Sequence, residues 1–128
     1  SLTETSSAVP EEIHTVVYTN STSRENIILR ITNNDLKVQL TRQNKGGIIS
    51  NRFGNATPNS YNIMATRLEN ANFMKVKSLP GRGNSGAQEK LVIETQAKIY
   101  TYTQNQSTRF PSGVDEVVKL LPTLFPVK

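Results

Sequence analysis

Cysteine is absent from this chain, which excludes disulfide bonds, thiolate metal sites and cysteine nucleophiles. Its absence does not fix the compartment. Tryptophan is missing as well, and aromatics make up only 6% of the residues. Apolar residues account for 35%, or about 40% with the 7 glycines, against a usual ~45–50%. The core must therefore be small and built mainly from Ile, Leu and Val. No apolar run approaches the ~18–20 residues that a bilayer-spanning helix needs. Histidine occurs once, as His14. A single imidazole without thiolates does not make a zinc site unless scattered carboxylates complete it.

A chain of 128 residues is most simply one domain, able to bury roughly two-thirds of its unfolded surface. The opening "SLTETSSAVPEE" (1–12) is rich in Ser, Thr and Glu and reads as a disordered tether. Residues 13–128 then form a single domain. Ser1 is not an initiator Met, so the chain reads as a processed or trimmed piece. Tether and start together lead to the expectation of a bacterial exported domain, periplasmic or at the cell surface. A lipid-attachment cysteine before Ser1 would make it a lipoprotein, held to the membrane through that N-terminus.

The formal charge is +5 and unevenly placed. From Lys37 to Arg82 eight basic residues (Lys37, Arg42, Lys45, Arg52, Arg67, Lys75, Lys77, Arg82) face one acid, Glu69. Such an excess favours anionic surfaces at low salt.

"IHTVVYTN" (13–20), "ENIILRIT" (25–32) and "LKVQLTRQ" (36–43) are strands, the last two with clean alternation. "TNND" (32–35) is their hairpin turn, since Asn and Asp tolerate the left-handed conformation. "NKGGIISNRFGNA" (44–56) reads as a glycine-bearing connection. Thr57-Pro58 makes an N-cap and first helical residue. The helix that follows carries Tyr61, Met64, Ala65, Leu68 and Ala71 on one face, with Asn70 or Asn72 ending it and Phe73 turning back into the core. "FMKVKSLP" (73–80) suggests a short edge strand. "EKLVIET" (89–95) suggests a strand buried on both sides, and "AKIYTYTQ" (97–104) a strand with alternating faces. The last helix starts at a capping Ser112, carries Asp115 and Glu116 in its first turn and ends before Pro122. Leu120, Leu121, Leu124 and Phe125 should pack it down. The fold class is α+β: a mainly antiparallel sheet of about five strands with two helices packed on one face.

Gly81-Arg82-Gly83-Asn84-Ser85-Gly86 has the G-x-G-x-x-G spacing of a dinucleotide fingerprint. That fingerprint needs a helix straight after it, because the pyrophosphate sits on the helix N-terminus. Here a strand-like segment follows, and no acid stands about 20 residues on for a ribose. The segment therefore reads as a flexible connection, and no cofactor is expected. A Ser-His-Asp arrangement from His14 with Asp35 or Asp115 lacks an activated serine. The adjacent pairs Glu11-Glu12 and Asp115-Glu116 do not converge as glycosidase acids do. No catalytic and no metal-binding residue is assigned. The sequons at Asn20, Asn55 and Asn105 are unremarkable in a chain with 13 asparagines.

From the helix ending "ANFMKV", through "SLPGRGNSG" and the strands "EKLVIETQAKIYTYTQ", to a proline and a leucine-rich C-terminal helix, the layout is similar to small emfourin-like proteins. These are compact α+β inhibitors of thermolysin-type metalloproteases. The resemblance implies a non-enzymatic binding domain and carries over no functional residue. Residues and resemblance together lead to the expectation of a partner-protein binder, inhibitor-like, contacting its partner through the basic glycine-bearing loops at Lys45, Arg52 and Arg82. The alternative is a basic polyanion-binding domain for nucleic acid or acidic polysaccharide.

Overall fold

Alternation of apolar and polar residues does place the N-terminal strands. A computed structural model of the chain describes residues 12–83 and 86–127. The expected tether, apart from Glu12, therefore lies outside the described residues, as do Asn84 and Ser85 of the glycine segment. The elements are β1 (Ile13–Ser21), β2 (Asn26–Thr32), β3 (Lys37–Asn44), β4 (Gly47–Asn55), α1 (Pro58–Asn70), β5 (Leu79–Pro80), β6 (Gln88–Thr95), β7 (Ile99–Gln104), β8 (Thr108–Arg109) and α2 (Ser112–Leu124). Six strands form one antiparallel sheet in the order β4-β3-β2-β1-β6-β7, and β5 pairs with β8 in a two-stranded ribbon. The chain climbs as a meander from β1 out to the edge strand β4. It then passes through α1 to re-enter the sheet at β6, beside β1.

The main sheet thus has six strands rather than about five, and the added one is β4, in the segment expected to be a connection. Gly47 explains the start of this strand. Its φ of +122° is a conformation that L side chains rarely adopt, and it closes the turn that brings the chain back along β3. Two further expectations are corrected. β6 is not buried on both sides: Leu91, Ile93 and Thr95 are buried while Lys90 and Glu94 are exposed, as two charged side chains in alternate positions require. Only Leu79–Pro80 of 73–80 pairs as a strand. Residues after Phe73 are drawn into a turn by the amides of Lys75 and Val76, which donate to the Asn72 carbonyl.

One core joins the sheet to both helices. Val16, Leu29, Ile31, Val38, Leu91, Ile93 and Tyr102 of the sheet belong to the same buried cluster as Tyr61, Met64 and Leu68 of α1 and Val114, Val117, Val118 and Leu121 of α2. α1 begins as read, with the Thr57 hydroxyl accepting from the Ser60 amide at 3.0 Å and Pro58 in the first turn. Asn72 takes φ +61° just beyond the helix, and Phe73 is fully buried. The Tyr61 hydroxyl donates to the Ile13 carbonyl at 2.8 Å, tying α1 to the start of β1.

α2 departs from expectation at both ends. Its N-cap is Pro111, with no side-chain cap from Ser112, and it runs through Pro122 to Leu124. Proline in a last turn removes only one backbone bond, and the buried Leu121 and Phe125 hold the turn in place. Phe125 N–H still donates to the Leu121 carbonyl at 2.9 Å.

The glycine segment is a packing device at one position. A Cβ on Gly83 would lie 2.5 Å from the Thr108 carbonyl oxygen and 2.7 Å from both Arg109 Cβ and Gln104 Cγ. Gly83 N–H donates to the Asn105 carbonyl at 2.9 Å, so the backbone is pinned where the clash would occur. Gly83→Ala is expected to lower stability by about 1–3 kcal/mol, the usual cost of forcing an extra group into a closed site. Urea unfolding of the two proteins checks this; equal midpoints would refute the close approach.

Candidate functional site

Of the five large apolar side chains exposed among the described residues, three lie on β4, one (Leu79) on β5 and one (Ile99) on β7. Ile48 is 65% exposed, Ile49 48% and Phe53 64%. They come from a segment, Gly47–Asn55, that has β3 on one side and no strand on the other among the described residues. Its geometry follows from the turn before it. Asn44 Oδ1 accepts from the Gly46 amide at 2.8 Å, and Gly47 then opposes Asn44. Further along, Gln43 faces Ile48 but Arg42 faces Ser50, which leaves Ile49 as an unmatched extra residue. This is a β-bulge, a local twist common at sheet edges. From Ser50 to Asn55 the pairing with β3 is regular.

Side chains lock this hairpin. Gln39 Nε2 donates to Asn51 Oδ1 at 2.9 Å, the Thr41 hydroxyl donates to the same oxygen at 3.0 Å, and Lys37 Nζ donates to Asn55 Oδ1 at 3.0 Å. On the opposite face of β4, Gly54 lies near Pro126 and Val127, where a Cβ would sit 3.6 Å from the Pro126 carbonyl. The strand is thus fixed on its inner side and on both faces near its end, while among the described residues no strand pairs with its outer side.

Charge around the strand is one-sided. Among the described residues the ion pairs are Glu25–Arg42 (2.7 Å) and Asp115–Lys119 (3.0 Å), and Glu12 lies 3.8 Å from His14, an ion pair only when the imidazole is protonated. Arg42 is therefore neutralised, and its hydrogen bonds to Glu25 hold its guanidinium above its already high ordinary pKa. Lys37, Lys45 and Arg52 have no carboxylate partner in that set. The nearest acid in sequence, Asp35, is occupied by the turn: it accepts from the Thr32 hydroxyl at 2.6 Å and from the Lys37 amide at 3.2 Å. The Thr32 bond in particular keeps its carboxyl below the ordinary carboxylate value.

Of the three contact residues read from sequence, Lys45 lies in the β3–β4 turn and Arg52 on β4 itself, both exposed. Arg82 is elsewhere. It follows β5, whose neighbour β8 lies against β7 at the other end of the main sheet. Five strand spacings of about 4.8 Å separate β4 from β7, roughly 24 Å. Lys45 and Arg52 belong to the same hairpin, and Arg82 does not. Ile48, Ile49 and Phe53, expected in a connecting loop, lie on that hairpin too. Their signal was present: three large apolar residues in a segment that offers them no core.

The groups considered for catalysis are dispersed. His14 is on β1 with Glu12 as its partner, Asp35 shapes the β2–β3 turn, and Asp115 pairs with Lys119 one helical turn away. No group of three or more His, Asp or Glu is placed to hold a metal ion among the described residues. At one end of the sheet an open hollow of about 670 Å³ is lined by Ser21–Ser23, Gly86–Gln88 and Asn105–Ser107. Its lining carries no titratable side chain. Among the described residues no helix is long and apolar enough to cross a membrane.

No protein-family model matches this chain, and no curated protein matches it.

Proposed function

We infer that the chain is a non-enzymatic binding domain that recognises a partner protein through β4 and the β3–β4 turn. The observation that carries this reading is the exposed apolar edge: Ile48, Ile49 and Phe53 on an outermost strand whose inner side is locked. Scattered exposed apolar residues are ordinary, whereas a cluster on a flat strand edge marks an interaction site or an aggregation hazard. Both helices pack on one face of the sheet, an arrangement supported by the single core they share with it. The layout resemblance to emfourin-like proteins favours an inhibitor-like module acting outside the cell.

Affinity capture from a native extract tests the reading, comparing the wild type with an Ile48→Lys/Phe53→Lys variant. The wild type is expected to hold a partner through washes of about 0.5 M salt, where exposed charge contacts are largely screened. The variant should lose that partner while keeping its thermal midpoint. Identical captures would overturn the reading.

A second reading, polyanion binding, is favoured by Lys37, Lys45 and Arg52, which form no ion pair among the described residues. It predicts heparin or DNA affinity that falls steeply with salt, and a flat response would remove it.

A further inference from the structure

Resting on the reading above, we propose that the partner adds an extended, acidic segment to the outer edge of β4 as a seventh strand of the main sheet. Three observations on β4 and the turn before it converge.

The first is backbone chemistry. In a strand, alternate N–H and C=O groups point to either side. On β4 one set pairs with β3. Among the described residues no backbone hydrogen bond reaches the other set. An extended polypeptide satisfies such a row along its whole length, as in strand addition to PDZ-type edges.

The second is that usual protections of an edge are weak here. Natural edges are blunted by charges, prolines, short length or bulges. β4 has no proline, is 9 residues long and carries a single charge, Arg52. The bulge at Ile49 is confined to its beginning and leaves Ser50–Asn55 as a regular template.

The third is charge, which selects the occupant. An incoming strand lies beside Arg52, with Lys45 in the turn at one end of β4. Neither has a carboxylate partner among the ion pairs given above. A second copy of β4 would bring its own Arg52 and Lys45 to the same edge, and like charges facing each other across strands destabilise the pair. Carboxylates on the added strand supply what is missing. Apolar residues between them would meet Phe53 and Ile48.

The test uses the whole chain and three fluorescein-labelled peptides followed by anisotropy. One is Thr-Val-Glu-Val-Glu-Val-Thr, one has Lys for both Glu, and one has Pro for the central Val. The acidic peptide is expected to saturate, with the Lys and Pro versions each at least about tenfold weaker, the sum of a few cross-strand charge and hydrogen-bond terms. In a Lys45→Glu/Arg52→Glu variant, both changes being at exposed positions, the preference should reverse toward the Lys peptide. Equal binding of the acidic and Lys peptides would overturn the charge selection. Equal binding of the acidic and Pro peptides would overturn strand addition. Concentration-dependent dimerisation abolished by Phe53→Lys would give the edge to a second copy and overturn the proposal. Binding to none of the peptides, while capture from extract still depends on Ile48 and Phe53, would overturn the acidic strand and leave partner recognition standing.

Discussion

Phe73→Ala should lower the stability of this domain by about 3–5 kcal/mol, the range for deleting a buried aromatic ring. The side chain is fully buried and meets the Tyr100 ring edge-on, with centroids 5.3 Å apart and planes at 80°. Its main chain is equally engaged: the carbonyl accepts from the Tyr102 hydroxyl, and the amide donates to the Leu68 carbonyl at 3.2 Å. Phe73 therefore joins the end of α1 to β7 through both side chain and backbone. The left-handed Asn72 before it aims the ring inward. With a total stability of about 5–15 kcal/mol for a domain of this kind, the loss is a large fraction. The melting midpoint should fall by roughly 10–20 °C. Calorimetry on the two proteins checks this, and a shift below about 3 °C would show that the ring is not a central member of the core.

Alkaline pH should be the second strong perturbation. Burial is the main cause that pushes the Tyr102 hydroxyl up from its ordinary value of 10.0 to about 12, and it raises Tyr61 as well. Both hydroxyls donate to backbone carbonyls, of Phe73 and Ile13 respectively. The sign follows from proton counting. Below pH 10 both tyrosines are protonated in folded and unfolded chains alike, and their full contribution to stability is present. Above it the unfolded chain releases these protons first, so stability falls as pH rises through the folded values. Each retained proton costs up to about 1.4 kcal/mol per pH unit, so the loss grows to a few kcal/mol by pH 12. Urea midpoints measured between about pH 9 and 12 should fall steeply. A Tyr61→Phe/Tyr102→Phe variant should start lower and show a shallower fall. Parallel slopes in the two proteins would assign the alkaline loss to other groups.

Elements with a buried face wrote themselves plainly into the sequence. Leu29 and Ile31 of β2 and Val38 and Leu40 of β3 alternate with polar residues because one side of each strand meets the core. The Tyr61, Met64, Leu68 stripe of α1 recurs at helical spacing for the same reason. β4 left no such trace. Its positions are almost all exposed, so burial imposes no period of two on it, and only its pairing with β3 makes it a strand. The candidate site was half legible for the same reason. Lys45 and Arg52 stood out as charges, while Ile48, Ile49 and Phe53 belong to a strand that could not be seen. α2 shows a different limit. Its fully buried side chains include Val114, Val117 and Leu121, whereas Leu120 and Leu124 are only partly buried. A run of apolar residues on both sides of Pro122 does not reveal which stripe faces inward until the helix continues through that proline. In the β2–β3 turn the left-handed residue is Leu36, at φ +52°, rather than an Asn or Asp. Asp35 is held by Thr32 and by the Lys37 amide instead, and this side-chain-to-backbone clasp passes the left-handed step to the next residue.

The recognition edge proposed on β4 is tested most directly by amide hydrogen exchange, read residue by residue by NMR, with and without the acidic peptide. Without it, the amides of Ser50–Asn55 that point away from β3 should exchange quickly while their neighbours are protected. With it, the outward amides should become protected, in an every-other-residue pattern that only an added strand produces. Peptide-induced protection that spares β4, or that appears without alternation, would contradict an edge built to receive a strand.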